Sequence, residues 1–185
     1  MKSLANHFLV AMPSMDDPFF NHTVTYLCEH SEDGAMGLVV NHPIDITVGE
    51  LLDQIDIDND KSSQAAKVNI YAGGPVHTDR GFVLHTPKLG YASSQELSSE
   101  IMITTSKDVL ASLTSSHSPE GFIITLGYAG WVSGQLEEEL KENTWLVVEA
   151  DPEIIFNTPP EKRWEKAVQM LGIDVAQLSS QAGHA

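Results

Sequence analysis

Short apolar runs separated by turn chemistry recur along the chain and read mainly as strands, with a few helices between them. His7-Phe8-Leu9-Val10-Ala11-Met12 is a first strand, stopped by Pro13. Ser14 to Pro18 is loop chemistry, with Phe19-Phe20 placed to pack that loop against the core. Thr23 to Glu29, rich in β-branched and aromatic residues, predicts a second strand. The turn residues His30 to Gly34 follow, and Met36 to Asn41 is the hairpin partner. Thr47 and Glu50 form a capping-box pattern ahead of Val48, Leu51, Leu52 and Ile55, an apolar stripe at i, i+3, i+4 and i+7.

Asp56 to Lys67 is polar and aperiodic, which predicts a surface loop. Val68-Asn69-Ile70-Tyr71 and Gly81-Phe82-Val83-Leu84-His85 are strands flanking the turn Ala72-Gly73-Gly74-Pro75-Val76. Ile101 to Thr104 is a short strand, and Thr105 with Asp108 caps a helix facing inward through Val109, Leu110 and Leu113. The most distinctive stretch starts with the apolar run Phe122 to Leu126. Gly127, Gly130 and Gly134 then predict a tight turn carrying Tyr128 and Trp131, and an acidic helix leaves through Gln135, Glu137, Glu138 and Glu139. Trp145 to Ala150 is a late strand ended by Asp151-Pro152. Thr158 with Glu161 predicts another capping box, opening a helix with Trp164, Ala167, Val168 and Leu171 inward and Gly172 at its close. Residues after Leu178 read as a frayed end.

Composition narrows the class. One domain over 1–185, with a core from about residue 4 to 172, is expected, since a chain of this size buries roughly 70% of its unfolded surface. No apolar run reaches the ~18 residues of a membrane span. Cys28 is the only cysteine and has no internal disulfide partner, so a cytoplasmic home is expected. Acids outnumber bases 26 to 10, for a net charge of −16. Bases are scattered, and the one cluster, Lys162, Arg163 and Lys166, alternates with Glu161 and Glu165. Direct nucleic-acid binding and attraction to an anionic membrane are disfavoured, because both need a basic footprint.

Five blocks carry a resemblance to the AlgH/YqgE family of bacterial proteins. They are Leu9-Val10-Ala11-Met12-Pro13 with Asp17-Pro18-Phe19; Gly34 to Asn41; Gly73-Gly74-Pro75-Val76; Gly127-Tyr128-Ala129-Gly130-Trp131 with Gly134-Gln135-Leu136-Glu137 and Glu139; and Trp145 with the Arg163-Trp164 pair. His42 departs from the pattern, which as often as not places a basic residue such as arginine there. The resemblance implies a single mixed α/β domain: a bifurcated, partly closed barrel-like sheet with helices packed outside. It also implies a family with little established chemistry, one branch of which is described as regulating transcription, and no catalytic or binding residue that transfers to this chain.

Candidate chemistry therefore rests on the residues themselves. Gly73 and Gly74, with Arg80 downstream, have the makings of an anion-binding nest, against a structural turn. Tyr128 and Trp131 offer flat faces, against the core filling usual for aromatics beside glycine. Gln135 and Glu139 share one helix side at i, i+4. Cys28, His30 and His42 are metal-ligand types at a spacing that matches no zinc pattern, so neither a metal nor a cofactor is expected. Ser133 lacks the glycine two residues before it that a nucleophile elbow needs. The expected function is a non-enzymatic binding or regulatory protein, acting through an unidentified protein or small-molecule partner and affecting transcription, if at all, indirectly. Its surface would comprise Gly73, Gly74, Arg80, Tyr128, Trp131, Gln135 and Glu139. The alternative is an enzyme using Glu137 or Glu139 with a histidine such as His85, and the third reading is a direct DNA-binding regulator.

Overall fold

The computed structural model describes residues 2–174 and 176, so the expected frayed end after Leu178 lies outside the described residues. Ten strands appear among them: β1 His7–Ala11, β2 Val24–Ser31, β3 Gly34–Val39, β4 Pro43–Thr47, β5 Asn69–Ala72, β6 Val76–His85, β7 Ser94–Glu96, β8 Met102–Thr104, β9 Phe122–Val132 and β10 Trp145–Glu149. The helices are α1 Val48–Gln54, α2 Gln64–Lys67, α3 Lys107–Ser112, α4 Gln135–Lys141, α5 Pro152–Phe156 and α6 Pro160–Met170. The strands join in the order β10-β1-β2-β3-β9-β6-β8-β7, with β4 and β5 as a side branch. All pairs are antiparallel except β5 with β9. The result is a mixed α/β domain built on a curled half-barrel sheet with helices packed on it.

The apolar runs are continuous because both faces of the sheet are covered. Phe8 and Val10 enter one buried cluster with Tyr26, Leu38, Leu84 and Trp164, under α5 and α6. Leu9 and Ala11 point the other way, into a second cluster with Leu27, Trp131, Leu136 and Trp145 beside α4. A third cluster holds α1 and α3 against β5, β6 and β9 through Val48, Leu52, Ile70, Val83, Val109 and Ile124.

The largest correction to the sequence reading lies at Gly127. The expected tight turn is absent: β9 continues for eleven residues through Gly127 to Val132, and the helix begins only after Gly134. Gly127 (φ +78°) kinks the strand instead of ending it. Before the kink, one edge of β9 pairs with β5 at Thr125 and Leu126; after it, Ala129 to Val132 pair with β3. The opposite edge stays on β6. The sheet forks here, and the fork closes on the Gly73-Gly74 turn. Gly73 N–H donates to Leu126 O (2.7 Å), and Val39 N–H donates to Gly73 O (2.8 Å). A Cβ on Gly74 would lie 2.0 Å from the Tyr128 carbonyl carbon, so the two chains cross at backbone contact.

Other departures are local. The Thr47/Glu50 capping box forms as expected. Thr158 and Glu161 form none: α6 starts at Pro160, and Thr158 Oγ1 instead donates to Glu153 O, closing the unexpected helix α5. Ser106 replaces Thr105 as the first residue of the α3 cap, because Asp108 is drawn to Ser106 and to the Ala92 N–H. Helix α2 falls in the stretch expected as a surface loop, and strands β4 and β7 lie where no strand is expected. β6 begins at Val76, five residues before the expected Gly81.

Candidate functional site

Helix α4 leaves β9 at Gly134 and runs back beside β10, which brings two polar side chains, Gln135 and Glu139, to the two tryptophans. Gln135 and Glu139, one turn apart, bond to each other: Gln135 Nε2 donates to Glu139 Oε2 at 3.0 Å. Gln135 Oε1 accepts from the Val132 N–H (3.1 Å), which ties the helix to the end of β9. Glu139 Oε1 accepts from both indoles, Trp131 Nε1 at 3.0 Å and Trp145 Nε1 at 2.8 Å. Both tryptophans are buried and meet edge to face, with ring centroids 6.2 Å apart. One half-buried carboxylate thus satisfies two indole N–H groups that would otherwise lie unpaired in an apolar layer.

This clamp forms one wall of a cleft of about 290 Å³. The Pro75-Val76 end of the glycine crossing supplies another side, and the 13–22 loop, through Met15, Asp17 and Phe20, closes the third. Phe20 packs edge-on against Trp145 at 5.6 Å. Asp17 is exposed, and its Oδ1 accepts the N–H groups of Phe19 (2.8 Å) and Phe20 (3.0 Å). Its Oδ2 has no protein partner among the described residues. The cleft therefore joins two carboxylates to three aromatic rings.

Five of the seven residues named as a candidate surface divide between two faces of the sheet, and the other two, Gly73 and Gly74, lie in the crossing. Trp131, Gln135 and Glu139 come together at this cleft. Tyr128 lies on the opposite face of β9, tilted against His77 and edge-on to Phe82, and shares a separate cavity of about 410 Å³ with Arg80, whose guanidinium sits 5.2 Å over the Phe82 ring. Gly73 and Gly74 are buried in the crossing, and the Gly73 N–H is already used on Leu126 O.

The groups named for acid/base work are placed apart. His85 is fully buried among strands, its Nε2 accepting from Thr104 Oγ1 and its Nδ1 donating to Thr86 O, both at 2.7 Å. Burial lowers its pKa and holds it neutral. Glu137 bonds not to His85 but to His30, 2.7 Å away, and that bond holds the carboxyl below its usual range. His30 Nδ1 accepts the Leu4 N–H (2.8 Å), so Nε2 is the nitrogen that donates to Glu137 and neither ring nitrogen is free. Cys28 faces the core, where burial pushes its thiol far up. His42 packs on Phe19, and Ser133 Oγ donates to Glu32 O. No three His, Cys, Asp or Glu side chains converge among the described residues.

Asp17, Phe20 and Trp145 escaped the sequence reading because no spacing rule links a loop at 17, a strand at 131 and another at 145. The available signal was an acid at i, i+4 to a glutamine, near two tryptophans whose N–H groups needed acceptors. The three residues of the one basic cluster separate: Arg163 is buried while Lys162 and Lys166 are exposed.

Comparison with known proteins agrees with this architecture. A UPF0301 protein of Pseudoalteromonas translucida is 73% identical over the full length of both chains. A UPF0301 protein of Vibrio cholerae is 56% identical over 99% of this chain and all of its own. The solution structure of the AlgH protein from Pseudomonas aeruginosa superposes with a TM-score of 0.80 at 50% identity, covering 100% of this chain and 97% of that one. A crystal structure of a Corynebacterium diphtheriae protein shares the fold, with a TM-score of 0.71 at 20% identity over 91% of this chain and 87% of that one. The AlgH-like family (DUF179) matches residues 8–176, and with that span, these relatives and the forked sheet in place, the chain belongs to the AlgH-like family.

Proposed function

We propose that the protein acts by binding, and that its cleft beside Trp131 and Trp145 receives an ammonium or guanidinium group presented by a basic segment of a partner protein. The observation that carries this reading is the pairing of Asp17 and Glu139 around the rings of Phe20, Trp131 and Trp145. A cation between carboxylates and aromatic faces gains from both, and partial exclusion of water strengthens each contribution. The net charge of −16 steers a basic partner toward the protein and repels nucleic acid. Any influence on transcription then runs through the partner. A binding role is favoured over catalysis because the histidines that would work with a carboxylate are engaged elsewhere: His30 is held by Glu137 and the Leu4 N–H, and His85 is buried away from the cleft on Thr104 and Thr86. The buried lone thiol fits a cytoplasmic setting, and no helix among the described residues is long and apolar enough to cross a membrane.

The test titrates the full chain with the tripeptides Gly-Arg-Gly, Gly-Lys-Gly and Gly-Glu-Gly while following tryptophan fluorescence. A saturable change with the basic peptides, weakened by salt and lost in Asp17→Asn, is expected. That variant keeps the Oδ1 acceptor for the loop and removes only the charge. An equal response to Gly-Glu-Gly, or none to the basic peptides, overturns the reading.

A further inference from the structure

Arg163, on the first turn of α6, is 4% exposed and has no carboxylate within 4.0 Å among the described residues. Its guanidinium is held by two main-chain carbonyls, with Nε donating to Thr158 O at 2.9 Å and Nη1 to Val40 O, and it lies 5.0 Å over the ring of Tyr71. This buried cation is balanced by carbonyl dipoles, the Tyr71 side chain and the charge of Glu161, with no counter-ion in contact, and burying an ion without a contacting counter-ion costs several kcal/mol. Arginine keeps its proton even so. The acid two residues before it, Glu161, is exposed.

The same side chain lines a cavity of about 130 Å³, separate from the tryptophan cleft. Phe122, Ile123 and Phe156 form its apolar walls, and the exposed Val68 and Asn69 mark its mouth. Four waters fill such a space, each taking roughly 30 Å³. An anion as small as a carboxylate with a short hydrocarbon tail fits equally well, and it would give the guanidinium the planar, two-oxygen partner its fork matches. Apolar walls favour that tail over a multiply charged phosphate, which would lose hydration on every side. We infer that this cavity is a binding site for a small monocarboxylate, with Arg163 gripping the carboxylate and Phe122 and Phe156 enclosing the tail.

The experiment uses the isotopically labelled full chain titrated with sodium propionate at constant ionic strength. The Arg163 Nε–H signal and the backbone amides of Asn69, Tyr71 and Phe156 are followed by NMR. Parallel arms use propionamide, which has the same shape without the charge, inorganic phosphate, and sodium chloride. Saturable shifts with propionate alone, together with a melting temperature that rises with propionate concentration, are expected. Arg163→Lys loses two carbonyl bonds and is at risk of misfolding, so Val68→Phe serves as the second variant. It narrows the mouth and leaves Arg163 in place, and it should abolish the propionate shifts without changing the melting temperature of the free protein. The proposal fails if propionate gives no saturable shift, if propionamide or phosphate matches it, or if Val68→Phe binds propionate unchanged.

Discussion

Removing the Glu139 carboxylate tests whether one acid holds the two tryptophans. In Glu139→Ala the indole N–H groups of Trp131 (6% exposed) and Trp145 (5% exposed) lose a shared acceptor that sits 3.0 and 2.8 Å away. A hydrogen bond to a charged acceptor contributes ~1.5–3 kcal/mol. Glu139 is only half-buried, so water reaches part of the gap and the lower end applies to each bond, giving about 3 kcal/mol for the pair. For a chain of this length that corresponds to a fall in melting temperature of about 6–12 °C. Glu139→Gln keeps a neutral acceptor, and charged bonds are about twice as strong as neutral ones, so roughly half the loss is expected. Calorimetry and urea unfolding supply both numbers. A double-mutant cycle with Trp145→Phe, which removes one N–H and keeps an aromatic ring at the position, should show a coupling of ~1–2 kcal/mol. Trp131→Ala removes the ring as well as the bond and should cost more, ~3–5 kcal/mol. If Glu139→Ala stays within about 0.5 kcal/mol of the parent, the ordinary surface range, or if the cycle is additive, the clamp does not stabilise the fold.

Two further outcomes follow from the geometry. Gly74→Ala places a methyl group 2.0 Å from Tyr128 carbonyl carbon and 2.1 Å from its oxygen, backbone atoms that cannot give way, so the variant should accumulate as insoluble chain. Gly81→Ala, whose nearest neighbour is Leu126 Cδ2 at 3.7 Å, should stay soluble and fold, and equal behaviour of the two variants contradicts the crossing. His85 has a folded pKa below its ordinary value of 6.5, so its contribution to stability is full above that pH and declines as pH falls toward the folded pKa. Urea denaturation from neutral pH into mild acid should show that decline in the parent and a shallower one in His85→Gln, and parallel profiles count against a neutral buried imidazole.

The strands were legible wherever an apolar run was covered on both faces, as at Phe8 to Ala11, because such a run can be satisfied in few other ways. The Thr47/Glu50 cap was legible for a similar reason: donor, acceptor and spacing all lie within four residues. Thr158/Glu161 offered the same spacing and failed, since α5 ends against Thr158 and takes its hydroxyl. Half of the candidate site was readable, namely the Gln135–Glu139 pair and Trp131 in one motif. The other half, Asp17, Phe20 and Trp145, arrives from loops and strands whose proximity is decided by sheet order alone.

The amino-acid sequence by itself determined the strand runs, the acidic surface, the family and the local i, i+4 contact, because each depends on neighbours in the chain or on composition. Tertiary structure alone decided that Gly127 bends a strand instead of ending it, that Glu139 faces two indoles, and that Arg163 lies inside while its neighbouring lysines lie outside. The physical reason is common to all three. Glycine permits several backbone paths, and a carboxylate or guanidinium accepts several kinds of partner, so the choice falls to whichever distant backbone or side chain the forked sheet brings into contact.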